Sequence, residues 1–265
     1  MTLNFSKYQG TGNDFILIDN RNKFFPENDQ GIIARLCHRK FGIGADGLML
    51  LQNKEGYDFE MVYYNADGRE SSMCGNGGRC IAAFASTLGI VNNRGVFFAI
   101  DGAHLFEIKD KTPSEMIVSL KMIDVMEVNK DNNHFTLNTG SPHYIVFTEG
   151  IDQIDVVENG KKIRYNNQYS KEGINVNFVE TNENYIKVRT YERGVEDETL
   201  SCGTGVTAAA LATVYAGKLT NKRRVAVKVP GGELNVHFSN MGMGKFLDIW
   251  LEGPATFVFN GKIEI

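Results

Sequence analysis

The chain has 265 residues, 42% of them hydrophobic and 23% charged, with a formal net charge of −4. This is the composition of a soluble globular protein of one large or two ordinary domains, and its mild acidity offers nothing to nucleic acid or an anionic membrane. No stretch approaches the ~20 apolar residues that span a bilayer, and the N-terminus MTLNFSKYQG lacks the charged-then-apolar run of a signal peptide. Four cysteines (Cys37, Cys74, Cys80 and Cys202) are few for this length and suit reduced thiols in a cytoplasmic protein better than a disulfide scaffold.

In chain order, Leu3 to Asp19 reads as a strand, a Gly-rich turn at Gly10-Thr11-Gly12-Asn13-Asp14, and a second strand. Residues 29 to 40 carry helical spacing (Ile32, Ile33, Leu36), and Leu48 to Leu51 and Tyr57 to Tyr64 are strand-like. Asn65-Ala66-Asp67-Gly68 is a turn. After Cys74 comes a helix of small residues that should stop at Gly89. Val96 to Ile100, His104 to Lys109 and Met116 to Leu120 are further strands, followed by a charged, polar crossover near residues 110 to 130. The second half begins with a turn at Gly140-Ser141-Pro142-His143 and a strand at Tyr144 to Phe147. INVNFVE (174 to 180) and Tyr185 to Tyr191 alternate like strands. The Ala-rich helix after Cys202 should end at Gly217, and paired strands close the chain.

The halves repeat one another. Glu70-Ser71-Ser72-Met73-Cys74-Gly75-Asn76-Gly77 parallels Glu198-Thr199-Leu200-Ser201-Cys202-Gly203-Thr204-Gly205, about 128 residues on. At the same offset Gly12 pairs with Gly140, Tyr57 with Tyr185, Tyr63 with Tyr191, Ala82 with Ala210 and Gly89 with Gly217. Two copies are too few for a solenoid. The expectation is an α/β (α+β) protein with an excess of strands, in two pseudo-symmetric domains with one buried helix each. The N-terminal domain spans residues 1 to 118 and carries Cys74; the C-terminal domain spans 119 to 253 and carries Cys202.

Each repeat sets a cysteine at a helix start, where unpaired N–H groups and the helix dipole favour negative charge. Such a site lowers a thiol from a pKa of ~8.5 to somewhere within ~3.5–7.5. The N–H groups of Gly75, Asn76, Gly203 and Thr204 are candidates to cradle a substrate carboxylate. They would also stabilise the charge that builds when a neighbouring α-proton leaves. Two thiols on opposite faces of one carbon define a reaction: a thiolate removes the proton from one face and a thiol returns one to the other. Near-identical surroundings suit groups that exchange roles with direction. Cys37 and Cys80 lack this context and read as packing residues. The six-residue spacing of Cys74 and Cys80 is not that of a zinc site, so no metal and no cofactor is expected.

On the motifs GTGNDF (10 to 15), YNADG (64 to 68), MCGNGGRC (73 to 80), GSPH (140 to 143), NVNFVE (175 to 180), YERGVEDET (191 to 199) and SCGTG (201 to 205), the chain resembles the diaminopimelate epimerase family, and the match runs over nearly its whole length. The resemblance implies that Cys74 and Cys202 are the catalytic pair and that Asn13, Asn65, Asn175, Glu192 and Arg193 contact substrate, with His143 and Ser141 as helpers. It implies two barrel-like domains, each wrapped round a central helix, an active site in the cleft between them, and a last strand (254 to 265) that completes the first domain. It further implies a small amino-acid substrate and, in many members, a homodimer. Ser141 stands where many members carry Asn, Gly47 where some carry Gln, and the GVEDET loop is one residue longer than common. The implied reaction is LL- to meso-2,6-diaminopimelate epimerisation, serving lysine and peptidoglycan precursors. A proline or hydroxyproline racemase would share the cysteine pair, but its substrate lacks the distal amino-acid end that Glu192, Arg193 and the three Asn residues suit. A thiol redox protein or a non-catalytic amino-acid-binding protein are the readings from other classes.

Overall fold

The computed structural model describes residues 1–220 and 222–265. The chain forms two compact units: Met1–Leu120 with Gly253–Ile265, and Lys121–Glu252.

The first unit opens with the hairpin β1 (Thr2–Gly10) and β2 (Asn13–Asp19). Both residues of its turn, Thr11 and Gly12, have positive φ (50° and 88°), the backbone that matches the twist of a two-residue hairpin. Helix α1 (Gln30–Cys37) follows, capped by the Asp29 carboxylate on the Ile32 N–H at 3.0 Å. It is shorter than the expected 29 to 40, because His38 turns extended and the N–H groups of Gly42, Ile43 and Gly44 fold back onto the carbonyls of His38 and Leu36. Strand β3 (Gly47–Gln52) lies parallel to β2 and antiparallel to β4 (Phe59–Asn65), and the two-residue β5 (Glu70–Ser71) leads to helix α2 (Gly75–Thr87). Strands β6 (Arg94–Ala99), β7 (Gly102–Lys111) and β8 (Glu115–Lys121) complete the run. The C-terminal stretch of the chain pairs with β8 through Gly253–Thr256 and with β1 through Thr256–Glu264. The strands therefore form a closed ring with no free edge. Helix α2 packs against β1, β2, β3 and β7, and every residue from Gly75 to Ala85 is buried.

The second unit repeats this plan. It comprises β9 (Asn129–Asp131), β10 (His134–Asn138), β11 (Pro142–Phe147), α3 (Val156–Arg164), β12 (Asn175–Thr181), β13 (Tyr185–Glu192), β14 (Asp197–Thr199), α4 (Gly203–Tyr215), β15 (Arg224–Val229), β16 (Gly232–Gly242) and β17 (Lys245–Glu264), whose residues from Gly253 on belong to the first unit. Pairings recur in the same sense: β10–β11 antiparallel, β11–β12 parallel, β12–β13 antiparallel, β13–β15 parallel and β15–β16 antiparallel. Helix α4 is apolar all round rather than along one stripe, as a helix enclosed by strands must be. Both central helices end in the same way. Leu88 and Ala216 close the last turn, Gly89 (φ 70°) and Gly217 (φ 72°) take the left-handed conformation, and the next N–H returns to Ala85 or Thr213.

The ladders refine the repeat. Phe15 pairs with Gly47, and His143 with Asn175, so the 128-residue offset holds there (15 to 143, 47 to 175). Across the next hairpin it slips: Leu48 faces Tyr64, whereas Val176 faces Tyr191. The structural counterpart of Tyr191 is therefore Tyr64, not Tyr63, and Asn65 corresponds to Glu192. The hairpin loop loses a residue, and the Glu192–Cys202 segment gains it back before α4, because surface connections absorb such changes while buried strands do not. Helix α3 was not expected. Asp155 caps it on the Glu158 N–H at 2.8 Å, Glu158 pairs with Lys162 at 2.7 Å, and it packs on β12 and β13. The repeat signalled it, since α1 lies at the matching place in the first half.

Candidate active site

In the first unit, Cys74 is the N-cap of α2 in extended conformation (φ −102°, ψ 147°), and its sulfur accepts the Gly77 N–H at 3.2 Å. Helix geometry directs the N–H groups of Gly75 and Asn76 out of the same end. Asn13, at the start of β2, brings Oδ1 to 3.9 Å from the Cys74 sulfur. Its amide nitrogen donates to Asp46 at 2.6 Å, and Asp46 is held by Arg39 at 2.6 Å. Arg39 and Lys7 both pair with Asp14 (each 2.8 Å) and, against the opposing effect of burial, hold its carboxyl well below the usual range. Asn13 thus sits on a charged scaffold that sequence reading overlooked. Asn76 Oδ1 accepts from Arg79 (3.0 Å) and Thr11 (3.4 Å). Asn65 ends β4 and is exposed, with its backbone N–H bonded to Arg69. At the other end of α2, a cavity of about 300 Å³ lined by Tyr8, Phe84, Thr87, Leu88 and Phe257 contains none of the expected site residues.

In the second unit, Cys202 is the N-cap of α4 (φ −118°, ψ 109°) and is buried; its sulfur lies 3.5 Å from Thr204 Oγ1. The Thr204 carbonyl accepts from Thr139 at 2.8 Å, tying the first turn of α4 to the loop before Ser141. Ser141, Asn175 and Arg193 form one hydrogen-bonded cluster. Asn175 donates to Ser141 Oγ at 2.9 Å and accepts the Arg193 N–H at 2.9 Å, and the Arg193 guanidinium donates to Ser141 Oγ at 3.2 Å and to the Glu172 carbonyl at 3.2 Å. Glu192 accepts from Thr199 at 2.8 Å; burial raises its carboxyl, opposed by that bond. His143 is fully buried. Asn177 accepts from Thr190 at 2.9 Å and turns its amide nitrogen to His143 Nδ1 at 3.1 Å, which places the neutral ring's proton on Nε2. Nε2 has no protein partner among the described residues. Asn177 and Thr190 were missed, although Asn177 stands out as a polar residue within the alternating INVNFVE strand.

Burial, with a smaller push from Arg193, lowers the His143 pKa to about 3, so the ring is neutral at physiological pH. The unfolded chain binds this proton below pH ~6.5 while the folded protein does not. The stabilisation is therefore complete above pH ~6.5 and is lost as pH falls toward 3, at about 1.4 kcal/mol per pH unit for one proton. Phe15 occupies the matching ladder position in the first unit, so His143→Phe is expected to flatten the dependence of unfolding free energy on pH between 6.5 and 4 relative to wild type. Parallel curves from urea titrations would show that His143 does not carry it.

Among the described residues no group of three or more His, Cys, Asp and Glu side chains gathers to hold a metal, and no helix is long and apolar enough to cross a membrane.

The chain superposes over its full length on a phenazine biosynthesis protein of the PhzF family from Bacillus anthracis (TM-score 0.77, 15% identity, 100% of both chains). It also superposes on a probable proline racemase from Agrobacterium radiobacter (TM-score 0.69, 14% identity, 99% of this chain and 93% of that one). At such identities the likeness is one of fold: two repeated strand-rich halves. Sequence comparison is more specific. The model of the family described as diaminopimelate epimerase matches residues 5–122 and 135–258. A diaminopimelate epimerase of Flavobacterium psychrophilum is 52% identical over 97% of this chain and 98% of its own, and one of Chlorobaculum tepidum is 44% identical over 97% and 99%. The chain belongs to the diaminopimelate epimerase family, and is an enzyme of the isomerase class.

Proposed function

We propose that the protein interconverts LL- and meso-2,6-diaminopimelate without a cofactor, by a two-base mechanism in which Cys74 and Cys202 act on opposite faces of one α-carbon. One sulfur, as thiolate, takes the α-proton; the electron pair left on carbon delocalises into the adjacent carboxylate; the other sulfur, as thiol, delivers its proton to the opposite face. Each turnover leaves the two sulfurs with exchanged protonation states. The observation that carries this reading is the matched placement of the two cysteines as N-caps of α2 and α4. There the N–H groups of Gly75 and Asn76, and of Gly203 and Thr204, are suited to hold the reacting carboxylate and the charge that builds on it. The reading requires both sulfurs to reach one substrate carbon in a cleft closed to water.

The distal amino-acid end is assigned to Glu192 for the amine and Arg193 for the carboxylate, with Asn13, Asn65 and Asn175 supplying donors and acceptors, Ser141 shaping the Arg193 side and His143 as a helper. Arg193→Lys is expected to raise KM at least about tenfold, because an ammonium cannot reproduce a bidentate guanidinium grip. Unchanged KM and kcat would remove Arg193 from the site. On the same reading the protein works in the cytoplasm and supplies lysine and cell-wall precursors, and, as in many members of the family it resembles, two copies of the chain would form a homodimer.

Proton NMR of LL-diaminopimelate with the purified, reduced protein in D₂O, with no added cofactor, tests the function. Deuterium at the α-position together with the meso isomer is the expected result. Exchange with proline or hydroxyproline instead would assign it to the racemases that share its fold, and silence on all of them would leave a redox or binding role.

A further inference from the structure

One acid ties down both peptide groups that flank Arg193. The Glu192 carbonyl, in the peptide before Arg193, accepts the Glu196 N–H at 2.8 Å. The Gly194 N–H, in the peptide after it, donates to the Glu196 carboxylate at 3.1 Å. The Arg193 N–H donates to Asn175 Oδ1 at 2.9 Å, so the backbone here is gripped by Asn175 on one side and Glu196 on the other. Glu196 does this at φ 59°, in the left-handed region that a residue with a Cβ seldom adopts. Such a conformation persists where the surrounding contacts over-determine it. The same carboxylate accepts from Arg164 Nε at 3.3 Å, the Tyr165 hydroxyl at 2.9 Å and the Tyr191 hydroxyl at 3.1 Å. Burial raises this carboxyl, but the Gly194 N–H, the two tyrosine hydroxyls and Arg164 outweigh it and hold the group below its usual range.

Two of these donors come from the end of α3: Arg164 is its last residue and Tyr165 its C-cap. The helix seats closely on β13 because Gly160 has no side chain; a Cβ there would lie 2.4 Å from that of Tyr191. Beyond the helix the chain turns round the Arg164 guanidinium, whose Nη1 donates to the Tyr169 and Ser170 carbonyls at 3.2 and 3.3 Å. The same segment receives Arg193, which donates to the Glu172 carbonyl at 3.2 Å. Gly173 (φ 77°) lets both arginines pass, since a Cβ there would stand 2.7 Å from Arg193 Cδ and 2.8 Å from Arg164 Cζ. We propose that Glu196 is a positioning residue that sets specificity for the distal end of the substrate: it locks the loop between β13 and β14 to the end of α3 and so fixes the Arg193 guanidinium for the distal carboxylate. This rests on the epimerase reading, in which Arg193 grips that carboxylate. Glu196 acts through the backbone of Arg193 rather than by contact with substrate. A guanidinium oriented before substrate arrives lowers the ordering cost of binding.

The test measures KM and kcat for LL-diaminopimelate, from α-proton exchange in D₂O, in wild type, Glu196→Gly, Arg193→Lys and the double variant. Glycine adopts the left-handed conformation freely and keeps the N–H that bonds Glu192, so Glu196→Gly removes the carboxylate and leaves the turn. It is expected to raise KM about fivefold with kcat within about twofold of wild type, the pattern of lost binding rather than lost chemistry. In the Arg193→Lys background, where the guanidinium is already gone, Glu196→Gly is expected to raise KM less than about twofold further, because a residue that acts through another is not additive with it. A general loosening of the fold would add its full effect in both backgrounds. An unchanged KM in folded Glu196→Gly protein overturns the proposal, as does a rise of equal size in both backgrounds. Should Glu196→Gly not fold, Glu196→Gln, which removes the charge paired with Arg164 and keeps the side-chain length, goes through the same cycle, and a KM rise confined to the background that retains Arg193 decides it in the same way. Absence of exchange in the wild type rejects the epimerase reading and the proposal with it, whereas exchange with an unmoved KM in the variant rejects the proposal alone.

Discussion

Cys74→Ala and Cys202→Ala proteins are each expected to form the meso isomer at least about 10³-fold more slowly than wild type, since each removes a general acid/base at the reacting carbon. The two variants should differ in stability. The Cys74 sulfur caps α2 by accepting the Gly77 N–H at 3.2 Å, whereas the Cys202 sulfur lies against the Thr204 hydroxyl. Loss of a capping acceptor destabilises by about 0.5–2 kcal/mol, so Cys74→Ala should unfold at a lower urea concentration than Cys202→Ala. Cys74→Ser retains an acceptor at the cap but no readily ionised group. It should recover the stability and not the turnover, which separates the structural role of this position from its chemical one. Wild-type formation of the meso isomer by Cys202→Ala would end the two-base scheme.

The second large effect is expected at Gly205, where no thiol is removed. A Cβ there would lie 2.4 Å from Asn177 Oδ1 and 3.4 Å from the Cys202 sulfur. Asn177 cannot easily give way: it is fully buried, accepts from Thr190 and donates to His143 and to the Tyr144 carbonyl. Overpacking of this kind destabilises by about 1–3 kcal/mol, and the relief open to the chain is a shift of the α4 start that carries Cys202 with it. Gly205→Ala should therefore lose both stability and turnover, each beyond the effect of Gly77→Ala. At Gly77 the added methyl would meet the Cys74 sulfur at 3.2 Å and the thioethers of Met49 and Met61 at 3.3 and 3.5 Å, and methionine side chains adapt readily. Denaturant midpoints and initial rates of the two variants measure this; equal losses would show that the His143–Asn177–Thr190 network does not fix the α4 start.

Several features were legible in the residues because they are local. The Cys-Gly starts and the Gly stops of α2 and α4 follow from capping chemistry, and the strands of both halves from alternation, so these elements fall where the spacing puts them, within a few residues. Near-identical motifs 128 residues apart already implied two like halves. The Ser141, Asn175 and Arg193 cluster was composed of residues carried over from the family motifs, and the fold shows how three separate stretches meet there. Helix α3 escaped notice because its apolar residues are few and it relies on β12 and β13 to cover them. The one-residue slip that makes Tyr64 the partner of Tyr191 was invisible to a fixed offset, since only ladder pairing reveals which loop absorbed the change.

The position of each thiol, at the start of a helix with N–H groups suited to an anion, could be read from the residues alone, because a cap depends on neighbours within four residues. The sequence also carried a visible oddity, Arg79 as the one charged residue between Gly75 and Thr87. The setting of that charge follows from long-range packing. The buried Arg79 guanidinium donates to Thr11 and to the Pro254 carbonyl, which come from distant parts of the chain, and closure of the first ring depends on C-terminal residues reaching back to β1 and β8. Likewise His143 loses its proton through complete enclosure, not through its sequence neighbours. Ionisation responds to solvent exclusion and to charges that packing brings close, and neither is encoded within a few residues of the group that titrates.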